Sequence, residues 1–466
     1  MQDKKTKLMT GARPNVLEAI GDTPIVKLNS ITKDIKSEIY VKLEYMNPGG
    51  SIKDRIGVYM LDQAKKDGTL RPGGTIIEGT SGNTGVGLAM WAAIHGHKCI
   101  FVLADKQSKE KIDNLRAFGA KVVVCPTNVE PDDPRSYYSV SKRLSETIPN
   151  SFYVNQYDNL HNRDTHYYWT APEIHKQTDG DFDIFMATVG TGGTISGCAK
   201  YFKEHLPHIK NVGIDCVGSI VAHYAKTGEM IPAESYVLEG VGEDFIPENY
   251  LFDCIDDWEV INDKESFLMT RRLLKEEGIY AGGSSGGAIA GALRYAEKLK
   301  EPKKILVIMH DSGNRYASKI YNDDWMSDNG YLDSSFDIQI KDVLNLLGKK
   351  EGLVSIGDKT TIGEAIEIME SKGISQLPVI DNGQVKGLVT EKTLLKPVMM
   401  GEFSLDDNIS LAMSMKYKII DENELLSTVA DALLQKEIAI VSRNGKLIDM
   451  LTDIDIIQYL GKNKNV

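Results

Sequence analysis

NPGGSIKDR occupies residues 47–55. Pro48 fixes φ, and the two glycines reach backbone angles closed to other residues, so the chain turns tightly here. The continuation SIKDRIGVYMLDQAKKDG sets Ile52, Ile56, Met60 and Leu61 at helical spacing. Ser51 is placed to cap that helix. Lys53 then falls in the first turn, where the helix dipole disfavours a second positive charge. A lysine held that way keeps more of its amine neutral and nucleophilic. Alone, the nonapeptide more readily describes a solvated helix start; the rest of the chain reverses that.

The chain has 466 residues, 42% hydrophobic and 26% charged, an ordinary globular composition with room for roughly two to four domains. A net charge of −12 argues against nonspecific binding to nucleic acid or to an anionic membrane surface. No apolar run approaches the roughly 18 residues that span a bilayer. The N-terminal MQDKKTKLMTGARP is basic but lacks an apolar centre, so it is not a secretory signal. Cys99, Cys125, Cys198, Cys216 and Cys254 are scattered, form no C-x-x-C and show no metal spacing. They read as reduced core thiols of a cytoplasmic protein.

Residues 38–320 alternate short apolar runs with helical patterns. EIYVKLE, KCIFVLA, KVVVC, FDIFMATV, VGIDCVG and KILVIMH are the strand candidates; TGVGLAMWAAIHG and ESFLMTRRLLKEEG are helix patterns between them. The alternation predicts an α/β fold of mostly parallel sheets, divided into two layers with a cleft between. Residues 321–335, YNDDWMSDNGYLDSS, have no period and read as a domain boundary. The tail repeats itself. LPVIDNGQVKGLVTEKTLL, residues 377–395, matches IAIVSRNGKLIDMLTDIDII from its Ala439 onward, the run itself starting at Ile438, at an offset of 62 between Asn382 and Asn444. Each copy reads as strand, Asn-Gly hairpin, strand and helix, preceded by a further helix. Units this short are expected to pack as one pseudo-symmetric pair.

Three glycine-rich loops each follow a strand or open a helix. GTSGNTG, residues 79–85, follows TIIE; its backbone N–H groups and hydroxyls suit a carboxylate or phosphate. GTGGTISG, residues 190–197, follows FDIFMATV and suits one phosphate. Asp215, at the end of the next strand, faintly copies a dinucleotide-binding unit, but the spacing is not G-x-G-x-x-G. GGSSGG, residues 282–287, opens a third helix. EGVGEDF, residues 239–245, is a flexible segment able to close over a ligand, and HDSGNRY, residues 310–316, follows a strand. His310 alone reads as a satisfied core histidine.

NPGGSIKDR, GTSGNTG, GTGGT and GGSSGG, in this order, resemble the pyridoxal-phosphate enzymes of the tryptophan-synthase-β type, which include cysteine synthase, threonine synthase and serine dehydratase. HYYWTAPEI, LEGVGEDFIP, HDSGNRY and NDDWM resemble the branch that joins serine to homocysteine; the tail resembles a CBS pair, or Bateman module. The resemblance implies a fold-type-II, two-subdomain catalytic part over residues 1–330, a linker over 331–338 and an α+β CBS pair over 339–466. It implies that Lys53 forms the Schiff base with pyridoxal 5′-phosphate. Asn83 should bond the ring oxygen O3′. Gly190, Thr191, Gly192, Gly193 and Thr194 should hold the phosphate. Ser284 should face the pyridine nitrogen and leave it unprotonated, which favours β-elimination over transamination. Thr80, Ser81, Thr84 and Gln156 resemble the clamp for the amino-acid carboxylate, and Tyr167 and Gly240 correspond to residues near the substrate.

The implied reaction is a β-replacement in which Lys53 moves the α-proton and a thiol adds at the β-carbon. Serine with homocysteine is the expected pair; O-acetylserine with sulfide, the cysteine synthase reaction, is the alternative. Eukaryotic relatives commonly carry Tyr where this chain has Glu243, which bears on substrate preference. The segment before EIYVKLE holds neither Cys nor His, so no haem is expected, and no metal. A homodimer or homotetramer is expected. In CBS pairs a ribose is held by an Asp three residues after a Thr. The second copy has Thr452 and Asp455, and the first reads Thr390-Glu-Lys-Thr393. The expected tail ligand is S-adenosylmethionine, with ATP or AMP as alternatives, and neither nucleic acid nor membrane is an expected partner.

Overall fold

Strand Lys304–Met309, KILVIM, is buried at every residue but the first. A run apolar on both faces belongs in the middle of a sheet covered on both sides. In the computed structural model it lies parallel between Glu38–Leu43 and Ile184–Thr188. Lys210–Cys216 and Asp257–Ile261 extend the sheet on one side, and antiparallel Ile25–Lys27 closes the other. A second, all-parallel sheet runs in the order Lys121–Cys125, Lys98–Ala104, Thr75–Gly79, Ser151–Tyr153. Every strand candidate of the sequence is found. Ile25–Lys27, Ser151–Tyr153 and Asp257–Ile261 went unread, the first two because three residues carry no period.

The structure describes residues 8–127, 129, 132–332, 338–348, 352–434 and 437–462. Contacts divide the chain into units Met1–Leu332 and Asp333–Val466. Of the expected linker, residues 333–337 lie outside the described residues. The stretch from 321 is not wholly aperiodic. Asn322 accepts from Trp325 N–H and caps helix Asp323–Asp328. Met326 is buried in the first unit's core, and Trp325 packs beside Phe267 and Tyr331. Among the described residues, no helix is long and apolar enough to cross a membrane.

In the second unit both Asn-Gly pairs form the expected hairpins, with Asn382, Gly383, Asn444 and Gly445 all at positive φ. Each hairpin carries a bulge at the equivalent place, between Val379 and Ile380 and between Val441 and Ser442. The repeats exchange their leading elements. Ile340 and Val343, ahead of the first copy, pack in the core of the second with Leu426, Ala439 and Tyr459. Ile409 and Ala412, ahead of the second copy, pack in the core of the first. Neither copy owns a complete core, which is why they form a pair.

Candidate active site

Lys53 opens helix Lys53–Lys66 directly after the turn. Gly50 takes φ +80°, which only glycine adopts freely. Ser51 is bridged to Asp311, and Ile52 N–H donates to His310 O at 2.8 Å, so the turn is stitched to the end of the central strand. The expected cap shifts by one residue. Ile52 holds the cap position, and Ser51 Oγ accepts from Lys53 N–H at 3.2 Å. The charged residues of the nonapeptide are not solvated. Asp54 and Arg55 are buried. Arg55 makes two-pronged bonds to Glu44 (2.8 and 2.7 Å) and to Glu173 (2.8 and 2.9 Å). Lys42 adds a bond to Glu173 at 2.7 Å. Two cations and two anions thus balance beneath the lysine. Arg55 holds Glu44 down at about 2 against a burial that would raise it.

Lys53 keeps part of its surface open although protein surrounds it. Burial lowers its ionisation to about 8, opposed by the charges of Asp311 and Glu243. The cause of the neutral amine is therefore desolvation, where the sequence pointed to the helix dipole. Two buried histidines stay neutral nearby: His166, and His310, pushed down to about 3 by burial with the charge of Lys53 adding to it.

Each glycine loop sits at the carboxyl end of a parallel strand, where ligands of such sheets bind. No backbone N–H from Gly190 to Ile195 has an acceptor among the described residues, at the start of helix Gly193–His205. That is an anion cradle. Its neighbours hold it tightly. A Cβ on Gly193 would lie 2.1 Å from Asn162 Oδ1, and one on Gly192 would lie 2.7 Å from the Tyr250 ring. Asn162 Nδ2 donates to Thr191 Oγ1 at 2.9 Å, and Thr194 Oγ1 shares a bond with His166 Nε2 at 3.2 Å. The N–H groups of Ser81, Asn83, Thr84 and Gly85 are likewise without acceptors among the described residues. Thr84 Oγ1 donates to Gln156 Oε1 at 2.7 Å, and Gln156 Nε2 to Gly79 O at 3.0 Å. Buried Thr80 accepts from Gly82 N–H at 3.0 Å and braces the same loop.

Asn83 Nδ2 donates to Asp311 Oδ2 at 2.8 Å, and Asn83 Oδ1 accepts from Arg315, which also bonds Gly49 O. The motif HDSGNRY therefore supplies the groups that orient Asn83, a role its sequence did not disclose. Ser284 is buried in the first turn of Gly283–Glu297, and its hydroxyl has no partner among the described residues. Gly240 takes φ +78°, and its carbonyl approaches the Gly190 loop. Tyr167 is not gathered with these residues. Its hydroxyl donates to Glu204, and its ring lies under Lys200, on the exposed side of helix Gly193–His205. Asp215 caps a turn, accepting from Ala222 N–H at 2.8 Å, so it serves structure and not a ribose. Thr452 donates through N–H and Oγ1 to Asp455 Oδ2, both at 2.8 Å. Thr390 and Thr393 make the corresponding turn in the first copy.

A half-open lysine beside two anion cradles and an unpartnered buried hydroxyl fits an aldehyde cofactor bearing a phosphate. The description "Pyridoxal-phosphate dependent enzyme" matches residues 16–311, and "CBS domain" matches 340–399 and 408–462. The chain is 39% identical to the cystathionine beta-synthase of Dictyostelium discoideum over 463 residues, 97% of this chain and 93% of the relative. It is 39% identical to that of Oryctolagus cuniculus, over 96% of this chain and 85% of the relative. Among solved structures it resembles the O-acetylserine dependent cystathionine beta-synthase of Helicobacter pylori. There the identity is 40% and the TM-score 0.61, over 67% of this chain and 99% of that one. The chain belongs to the pyridoxal-phosphate-dependent enzymes, within the family of cystathionine β-synthases that carry a CBS pair. Its cofactor is pyridoxal phosphate.

Proposed function

We propose that the protein condenses serine with homocysteine to cystathionine and water, a β-replacement in transsulfuration. The match to cystathionine β-synthases along nearly the whole chain, tail included, carries this reading. When bound, pyridoxal phosphate supplies an electron sink conjugated to the substrate α-carbon. Lys53 would hold it, with residues 190–194 on its phosphate, Asn83 on O3′ and Ser284 at the pyridine nitrogen. Thr80, Ser81, Thr84 and Gln156 hold the substrate carboxylate. Lys53 Nζ takes the α-proton and passes it to the departing hydroxyl oxygen, which leaves as water. The thiol proton returns through Lys53 Nζ to the α-carbon as the carbon–sulfur bond forms.

The Helicobacter pylori structure, named as O-acetylserine dependent, favours a second reading in which the leaving group is acetate. Steady-state kinetics with serine or O-acetylserine, each against homocysteine or sulfide, separates these. A kcat/KM for O-acetylserine with sulfide far above that for serine with homocysteine would reject the first reading. The free cysteines support a cytoplasmic location. We further take the enzyme to be a homodimer or homotetramer; a monomer in light scattering at micromolar concentration would refute this. The tail is proposed to bind S-adenosylmethionine or an adenine nucleotide beside Thr452 and Asp455.

A further inference from the structure

The segment 239–245 is anchored at both ends. Glu239 is buried between Lys111 and Lys319, each 2.7 Å away. Phe245 packs against Tyr138 and Tyr157 at 5.4 and 5.3 Å between ring centres. Glu243 lies between them. Its backbone is fixed, with N–H donating to Ser219 Oγ at 3.0 Å and the carbonyl accepting from Ile220 N–H at 3.1 Å. Its carboxylate is different: it has no hydrogen bond and no ion pair among the described residues. Oε1 lies 3.5 Å from where a Cβ on Gly190 would stand, so the carboxylate faces the space above the 190–194 cradle. Burial, with the charges of Asp244 and Asp215 adding to it, pushes its carboxyl well above the ordinary range, and Lys106 and Lys53 pull the other way. Tyr137, Tyr138, Tyr157, Tyr236 and Tyr250 also lie within reach of its field.

A partly buried carboxyl without a partner is costly, and a ligand that supplies one recovers the cost. The first substrate does not. Its amine goes to the cofactor, and its carboxylate to Thr80, Ser81, Thr84 and Gln156. The second substrate remains. Sulfide brings no cation, whereas an amino-acid thiol brings an ammonium group that draws the carboxyl to its charged form and makes a charge-assisted bond with it. We propose that Glu243 determines the thiol specificity of the reaction: it holds the ammonium of an amino-acid thiol, a contact that sulfide cannot make. This deepens the condensation reading above and rests on it.

The test compares each amino-acid thiol with its amine-free twin: homocysteine with 4-mercaptobutyrate, and cysteine with 3-mercaptopropionate. In Glu243→Gln the ratio of kcat/KM for the amino thiol to that for its twin should fall about tenfold or more, mainly through KM. Sulfide turnover should change little. Glu243→Asp, which keeps the charge, should restore much of the ratio. A fold defect in Glu243→Gln would lower both members of a pair and leave the ratio unmoved. An unchanged ratio in a well-folded Glu243→Gln, or a ratio lost equally in Glu243→Asp, overturns the proposal. If the wild type rejects homocysteine, the condensation reading fails, and the cysteine pair still tests Glu243.

Discussion

Lys53 is a cation whose surroundings favour its neutral form. Burial lowers its ionisation to about 8 from the ordinary 10.5 of lysine, and Asp311 pulls the other way. The sign gives a direct expectation. In cofactor-free protein, acylation of Lys53 should rise through pH about 8, while exposed lysines follow near pH 10.4. Asp311→Asn removes the charge that favours the ammonium, so the midpoint should move lower. Peptide-resolved labelling across pH reads both; a Lys53 midpoint near 10 would contradict the desolvation argument. The lysine was legible from NPGGSIKDR, but the reason for its reactivity was not. Helix position can be read from a chain, whereas burial depends on what arrives from elsewhere. Arg55 makes the same point. Its partners Glu44 and Glu173 stand 11 and 118 residues away in sequence, and nothing local announces them.

At the scale of elements, the helices carrying Lys53 and Asn83 touch through backbone. A Cβ on Gly57 would fall 2.6 Å from Gly87 C, and one on Gly87 would fall 2.8 Å from Lys53 O. These contacts are with main chain and cannot swing aside. Gly87→Ala should cost about 1–3 kcal/mol and should weaken cofactor binding, because the helix start that positions Lys53 is displaced. Denaturant unfolding measures the first effect and titration of the cofactor's visible absorbance the second; a stable variant with normal affinity would reject the crossing argument. The sequence TGVGLAMWAAIHG announces a helix but not that Gly87 is its contact point. The strands were legible because a buried parallel strand is a continuous apolar run, as in KILVIM. The stretch from 321 misled because Trp325 and Met326 are only two apolar residues among Asp, Asn and Ser, and they anchor a helix too short to show a period.

For the molecule as a whole, the two units pose different questions. The tail hairpins were legible because Asn-Gly is a local signal; the exchanged leading elements were not, because exchange leaves no mark on periodicity. Asp455 already closes the first turn of helix Asp453–Lys462 through Thr452, so a ligand there would compete with that cap. Calorimetry should find S-adenosylmethionine, ATP or AMP bound to the wild type, and Asp455→Ala should weaken that binding about tenfold or more. Affinity unchanged by the substitution would move the site to the first copy, and binding of none of the three would leave the pair a purely structural module. Any effect on turnover is limited to the ligand's differential affinity for two states of the enzyme.

The central position of Lys304–Met309 also sets a timetable for synthesis. This strand separates Glu38–Leu43 from Ile184–Thr188, yet it leaves the ribosome after both. At about 5–20 residues per second, the earlier strand waits on the order of tens of seconds for its neighbour. Through that interval a nascent chain holds apolar strand edges open, which are templates for wrong pairing. The lysine, attached to His310 through Ile52, takes its place only when this strand arrives. A ribosome stalled before residue 304 therefore carries a chain that has its lysine but no pocket to put it in.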